Sequence, residues 1–208
     1  MKIGIMGGTF DPIHNGHLHL AQAALEQFVL DQIWFMPNGV PPHKKRSSIE
    51  SDIQQRIEMT RIAIESNEQF RLQEYEAKRE KISYSYETME HFKKMYPEDC
   101  FYFIIGADSL FAIETWRYPE RLFKTCTILA ACRDEVTTSE EIKGQIELLK
   151  SKYGAQIEFL AMPLEDVSSH EIRAFIEAGE PVSEYIPAEV ESYIRKEGLY
   201  GSGDRKNQ

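Results

Sequence analysis

The sequence predicts an α/β protein built on an open, mainly parallel β-sheet. Apolar runs rich in β-branched and aromatic residues alternate with helix-period patterns, and Gly- or Pro-containing turns punctuate them. Size agrees with this. At 208 residues the chain suits one compact domain, and it can bury roughly 70% of its unfolded surface without disulfide or metal staples.

In chain order, Lys2 to Met6 reads as a buried first strand. It passes through Gly7-Gly8 and a proline-containing turn into a helix from about Gly16 to Phe28. Ile33 to Met36 is a second strand, ended by Pro37-Asn38-Gly39. The stretch from Pro41 to Ser51 has no period and reads as a mobile loop. Asp52 to Ser66 is an amphipathic helix with Ile53, Ile57, Ile62 and Ile64 near helical spacing. Phe70 to Gln73 is a short strand and Ser85 to Met95 a helix. Cys100 to Ile105 is a strong central strand, followed by helical residues from Ser109 to Ile113. Thr127 to Ala131 and Gln156 to Leu160 are strands flanking a helix from Ser139 to Lys152. Ser169 to Ala178 and Ala188 to Lys196 are closing helices, so residues 165–200 form a small C-terminal helical part of a single domain, 1–200. Residues 201–208 read as a disordered tail.

Composition excludes several classes of function. The formal net charge of -10 argues against nucleic acid as a partner, which would call for a basic face. It leaves room for a nucleotide, since a few cations and main-chain amides can hold phosphates in an acidic protein. Cys100, Cys126 and Cys132 are odd in number, lack a CxxC pair and sit in strand-like settings. They read as buried reduced thiols, with no disulfide framework and no zinc site. The N-terminal apolar stretch is too short and glycine-broken for a signal peptide, and no segment approaches a membrane span. A cytoplasmic protein is expected. Homo-oligomer formation stays open, since no apolar surface stripe stands out.

The sharpest chemical signal is Gly7-Gly8-Thr9-Phe10-Asp11-Pro12-Ile13-His14-Asn15-Gly16-His17, directly after the first strand. Glycines at a strand's C-terminal end let the backbone approach a ligand, and the following helix aims its unpaired amides and positive dipole end at the same spot. His14 and His17, three residues apart around the helix entry, can both face one phosphate group and donate to it in either charge state. The glycines Gly4, Gly7 and Gly8 do not fit a GxGxxG dinucleotide fingerprint, and GxxxxGK[ST] is absent. A zinc site through the two histidines lacks the HExxH spacing and a third ligand.

GGTFDPIHNGH resembles the HxGH signature of the nucleotidyltransferase superfamily. Its long form, with Gly-Thr-Phe-Asp-Pro before the histidines, is similar to that of bacterial nicotinate mononucleotide adenylyltransferases. The likeness runs through WFMPNGVPPHK (34–44), SYSYETM (83–89), FIIGADSL (103–110) with Trp116, SSHEIR (168–173) and YIPAEVESYIRKEGLY (185–200). His170 departs from it, standing where the family has threonine. The resemblance implies a Rossmann-like sheet with helices on both faces. It also implies adenylyl transfer from ATP to nicotinate mononucleotide, with Mg²⁺ held mainly by the ATP phosphates and no protein metal site.

Within SSHEIR, Ser168 and Ser169 read as an N-cap, and a capped helix start is also an anion site. Arg173, read as a first-turn residue, is ill-placed for the helix dipole and well placed for ATP phosphates. His14, His17 and Arg173 are thus the expected catalytic residues. Gly7, Gly8, Thr9, Phe10, Gly106, Asp108, Ser168 and Ser169 join them in binding ATP. By resemblance, Asp108 would contact ribose hydroxyls, with a helix N-cap as the plain alternative. Trp116 would stack on the pyridine ring, Asn38, Ser85 and Thr88 would lie near its carboxylate and ribose, and Lys44, in the basic run Lys44-Lys45-Arg46, would hold a phosphate. Two rivals stay open: nucleotidyl transfer to another phosphorylated acceptor, such as phosphopantetheine, glycerol phosphate or nicotinamide mononucleotide, and a nucleotide-binding module without turnover.

Overall fold

The computed structural model describes residues 1–39, 49–133, 136–162 and 167–203. Its strands are β1 (Lys2–Gly8), β2 (Gln32–Pro37), β3 (Phe70–Leu72), β4 (Cys100–Gly106), β5 (Thr127–Arg133) and β6 (Ile157–Met162). The helices are α1 (Asn15–Gln27), α2 (Ile53–Ile64), α3 (Ser85–Met95), α4 (Ala107–Ala112), α5 (Pro119–Leu122), α6 (Val136–Tyr153), α7 (Ser169–Ala178) and α8 (Ala188–Glu197). Short 3-10 turns occupy Ile113–Thr115 and Leu199–Gly201.

The strands form one sheet in the order β3-β2-β1-β4-β5-β6. β1 pairs parallel with β4, β4 with β5 and β5 with β6. This is the order of a doubly wound Rossmann-like sheet, whose ligands lie beyond the carboxyl ends of the strands. The strand order reverses at β1, and the chain leaving β1 is the glycine- and histidine-bearing segment. β1 and β4 can be central because their interiors are apolar: Ile3, Ile5 and Met6, and Phe101, Phe103, Ile104 and Ile105, are all buried.

The chain divides into two compact units. The first comprises Met1–Gly7, His19–Trp34 and Ser83–Leu164. Trp34 anchors part of its core, lying edge-on to Phe92, Tyr96 and Phe101. The second comprises Gly8–Leu18, Phe35–Ile82 and Glu165–Gln208. In its core, Phe35 packs against Phe10 and Phe70.

Several expectations need correction. Glu50 and Ser51, assigned from sequence to a mobile loop, are tied down by main-chain bonds to Asp11, and Ser51 is buried. Residues 40–48 of that loop lie outside the described residues. Cys100 is exposed at the start of β4, whereas Cys126 is a buried thiol that burial pushes up to about 12. The helix after β4 begins at Ala107, two residues before the expected start. α5 has no counterpart in the sequence reading, because one turn opened by Pro119 is too short to show a period. α6 starts at Val136, ahead of the expected Ser139. Gly201 closes the last 3-10 turn and Ser202 Oγ donates to the Ile194 carbonyl, while 204–208 lie outside the described residues. No helix among the described residues is long and apolar enough to cross a membrane.

Candidate active site

The second unit holds the loop from Gly8 to His14 and the start of α1. A Cβ on Gly8 would come within 2.6 Å of the Phe10 ring, so the glycine makes room for the phenylalanine. Phe10 has φ 50, an unfavourable region for a residue with a side chain. Its ring is buried and edge-on to His17 at 5.0 Å. His14 directly precedes α1, and its carbonyl accepts from His17 N at 2.9 Å, opening the helix. Asn15 N and Nδ2 donate to the carbonyls of Tyr185 and Glu184, which fixes where the helix begins.

The two imidazoles lie with centroids 3.8 Å apart. The His14 main-chain N–H donates to His17 Nδ1 at 3.2 Å. An Nδ1 that accepts leaves the neutral ring's proton on Nε2, so His17 keeps an Nε2–H donor. His14 is buried, its Nδ1 has no partner, and burial lowers its pKa to about 4. It is therefore neutral at pH 7 until an anion arrives to favour its charged form.

Arg173 comes to the same loop from α7. Since α7 starts at Ser169, Arg173 lies in the second turn, a correction to its expected first-turn position. Side chains lean toward a helix's N-terminus, and its Nη1 accordingly reaches back to donate to the Asp11 carbonyl at 2.8 Å. Its Nε donates to Glu50 Oε1 at 2.7 Å. The arginine side chain is 10% exposed and that of Glu50 51%, so the partner is far freer to move than the guanidinium. Ser168 caps α7 in a capping box with Glu171, as the plain reading of the two serines expects. Ser169 instead donates from Oγ to the Pro12 carbonyl at 2.9 Å. His170 is exposed.

Three residues of this region are absent from the expected site. Asp11 is a buried carboxylate that accepts from Glu50 N, Ser51 N and Tyr200 Oη at 2.8, 3.2 and 2.7 Å. Burial pushes the Tyr200 phenol up, so it stays a donor. Arg56, buried on α2, donates from Nη1 to the carbonyls of Thr9 and Asn38, each at 2.8 Å. Asn38 N in turn donates to the Gly8 carbonyl at 2.8 Å. The available signal for Arg56 was its helical spacing with Thr60 and Ala63, both buried.

The remaining expected residues belong to the first unit, apart from Lys44, Lys45 and Arg46, which lie outside the described residues. Gly7 is near the end of β1 and is exposed. Gly106 ends β4, and a Cβ there would meet nothing within 4 Å. Asp108 is exposed in the first turn of α4, whose N-cap is Gly106, so the capping alternative does not hold. Ser85 is the first residue of α3, after the N-cap Tyr84, and Thr88 is fully buried. Trp116 is half-buried and edge-on to Phe103. Both its flanks are fastened: Glu114 accepts from Lys152 and Tyr153, and Arg117 donates to the Tyr84 hydroxyl at 3.3 Å.

Chemically, the loop of the second unit carries groups that can receive an oxyanion. A helix N-terminus, two imidazoles and a guanidinium converge on it, and the first turn of α1 carries no acidic side chain to repel a phosphate.

Comparison with known proteins gives the same direction. A family model described as cytidylyltransferase-like matches residues 5–175. A Clostridium kluyveri protein named as a probable nicotinate-nucleotide adenylyltransferase is 41% identical over 202 residues, covering 96% of this chain and 99% of the relative. One from Clostridium tetani with the same name is 42% identical over 199 residues, covering 96% and 98%. Among solved structures, the Plasmodium falciparum nicotinic acid mononucleotide adenylyltransferase complexed with NaAD matches with a TM-score of 0.79. It is 21% identical, with 97% of this chain and 98% of that chain covered, which speaks for the fold.

Proposed function

This chain belongs to the cytidylyltransferase-like family, and from that premise we propose that it transfers the adenylyl group of ATP to nicotinate mononucleotide. The products are nicotinate adenine dinucleotide and pyrophosphate, a step of NAD biosynthesis. Full-length similarity to relatives of that name supports the reading. The observation that carries it is the meeting of His14, His17 and Arg173 around one short loop.

In the reaction, an ionised oxygen of the mononucleotide's 5′-phosphate attacks the α-phosphorus of ATP in line. A new O–P bond forms, the bond from the α-phosphorus to the bridging oxygen breaks, and pyrophosphate leaves with the electron pair. The attacking oxygen carries no proton, so no general base is needed, and catalysis reduces to positioning and charge stabilisation. His17 donates from Nε2 to a phosphate oxygen. His14, neutral in the free protein, either donates or takes up a proton as the triphosphate's charge offsets its burial. Arg173 exchanges Glu50 for the phosphates that become pyrophosphate.

Gly7, Gly8, Thr9 and Phe10 line the nucleotide's path. Because the Phe10 ring is buried, its amide is the group that makes contact. Gly106, Asp108, Ser168 and Ser169 complete the ATP set, and Asn38, Lys44, Ser85 and Trp116 bind the acceptor, while Thr88, fully buried, contributes through packing. In this reading a Mg²⁺ ion would be carried on the ATP phosphates with most of its waters. Such an ion would neutralise charge on the pyrophosphate.

The test is pyrophosphate release on mixing the protein with ATP and either nicotinate or nicotinamide mononucleotide. We expect release with the acid at a kcat/KM higher by about tenfold or more. Release only with phosphopantetheine or glycerol phosphate, or with no acceptor, would overturn the assignment. His17→Ala should remove about 2–4 kcal/mol of transition-state stabilisation, mainly in kcat.

A further inference from the structure

Arg56 is a charge that the fold buries without an obvious benefit to stability. It is 2% exposed, its Nε has no partner, and its Nη1 is shared between the carbonyls of Thr9 and Asn38. Burial lowers its pKa, an effect that Asp11 partly offsets through space. Taking such a cation out of water costs several kcal/mol, and a well-packed apolar side chain often serves stability as well or better.

Its two acceptors explain it better. The peptide bonds after Thr9 and after Asn38 are trans, and a trans peptide points its C=O and N–H in opposite directions. Each carbonyl turned onto Arg56 therefore aims the next residue's N–H, that of Phe10 or Gly39, away from the guanidinium. Neither amide donates a hydrogen bond among the described residues. Both peptides are also held by their neighbours. Phe10 is kept at φ 50 with its ring buried. Gly39 is pressed so closely by the main chain of Glu76 that a Cβ would meet its carbonyl oxygen at 2.5 Å.

We propose that Arg56 is a positioning residue for adenylyl transfer, fixing two peptide planes so that the N–H groups of Phe10 and Gly39 are presented to oxyanion groups of the bound substrates. This rests on the function proposed above. Donors held in place before charge develops act without reorganising at the moment of reaction, and losing that order raises the barrier.

The experiment compares Arg56→Met and Arg56→Lys with the parent protein in melting temperature, kcat and both KM values. The methionine variant keeps much of the volume and loses both hydrogen bonds. The lysine variant keeps the charge and can reach at least one carbonyl. We expect Arg56→Met to melt within a few degrees of the parent while kcat falls about tenfold or more, with Arg56→Lys intermediate. A lower melting temperature with kcat within about twofold in both variants would make the residue merely structural and overturn the inference. Should the methionine variant fail to fold, the lysine variant decides: unchanged kcat overturns, reduced kcat with normal melting supports. His17→Ala is measured alongside. If the parent protein releases no pyrophosphate from ATP and nicotinate mononucleotide, the function reading itself fails; if it does, and His17→Ala is inactive while both Arg56 variants are fully active, only the present inference fails.

Discussion

His14 is held uncharged by its surroundings, with consequences for both ligand and fold. Its folded pKa of about 4 lies below the ordinary 6.5. Between those values the unfolded chain binds the proton and the folded chain does not, so stability must rise with pH across that window. The contribution is full above about pH 6.5, is lost as pH falls toward 4, and is worth at most about 3 kcal/mol. Urea titrations at pH 7 and pH 4.5 should therefore show a drop in the parent protein that is smaller in His14→Leu. Equal drops would mean that His14 is protonated in the native state. A bound triphosphate acts in the opposite sense, since its charge favours the imidazolium.

At the scale of elements, two helices of the second unit, α2 and α7, open with capping boxes. α2 opens with Asp52 accepting from Gln55 N and Gln55 reaching back to Asp52 N, a complete capping box. That cap sets the start of the helix carrying Arg56, four residues on. Asp52→Ala should cost about 1 kcal/mol of stability, read as a lower urea midpoint at unchanged m. An unchanged midpoint would mean that packing alone sets the helix start. α7 repeats the device with Ser168 and Glu171, and then spends its second serine on Pro12. One helix start is thereby tied to the turn that precedes another.

On the scale of the whole molecule, Asp11 gathers chain segments remote in sequence. Tyr200 is 189 positions away, Arg173 162 positions, and Glu50 and Ser51 39 and 40. Tyr200 Oη both donates to Asp11 and accepts from Ser51 Oγ at 2.5 Å, so the segment that follows α8 secures the loop after β1. Tyr200→Phe leaves two buried oxygens short of a partner. It should lower stability by about 1–3 kcal/mol, a loss that chemical denaturation would detect. No loss would show that water replaces the phenol.

The sequence by itself determined the alternation of strands and helices, apart from the single turn of α5, and it set two histidines beside a glycine turn at a helix entry. Both are written locally: apolar period marks the elements, and the glycines and the two histidines at the helix entry fall within one short stretch. The tertiary structure alone decided which groups hold that site in order. Arg56 sits in a helix where a charged residue would ordinarily read as solvent-facing, and Glu50 and Ser51 sit in a stretch with no period. Their partners are main-chain carbonyls and amides or a carboxylate far along the chain. Every residue has a main-chain carbonyl and nearly every one an N–H, so a side chain bonded to them leaves no mark in the sequence.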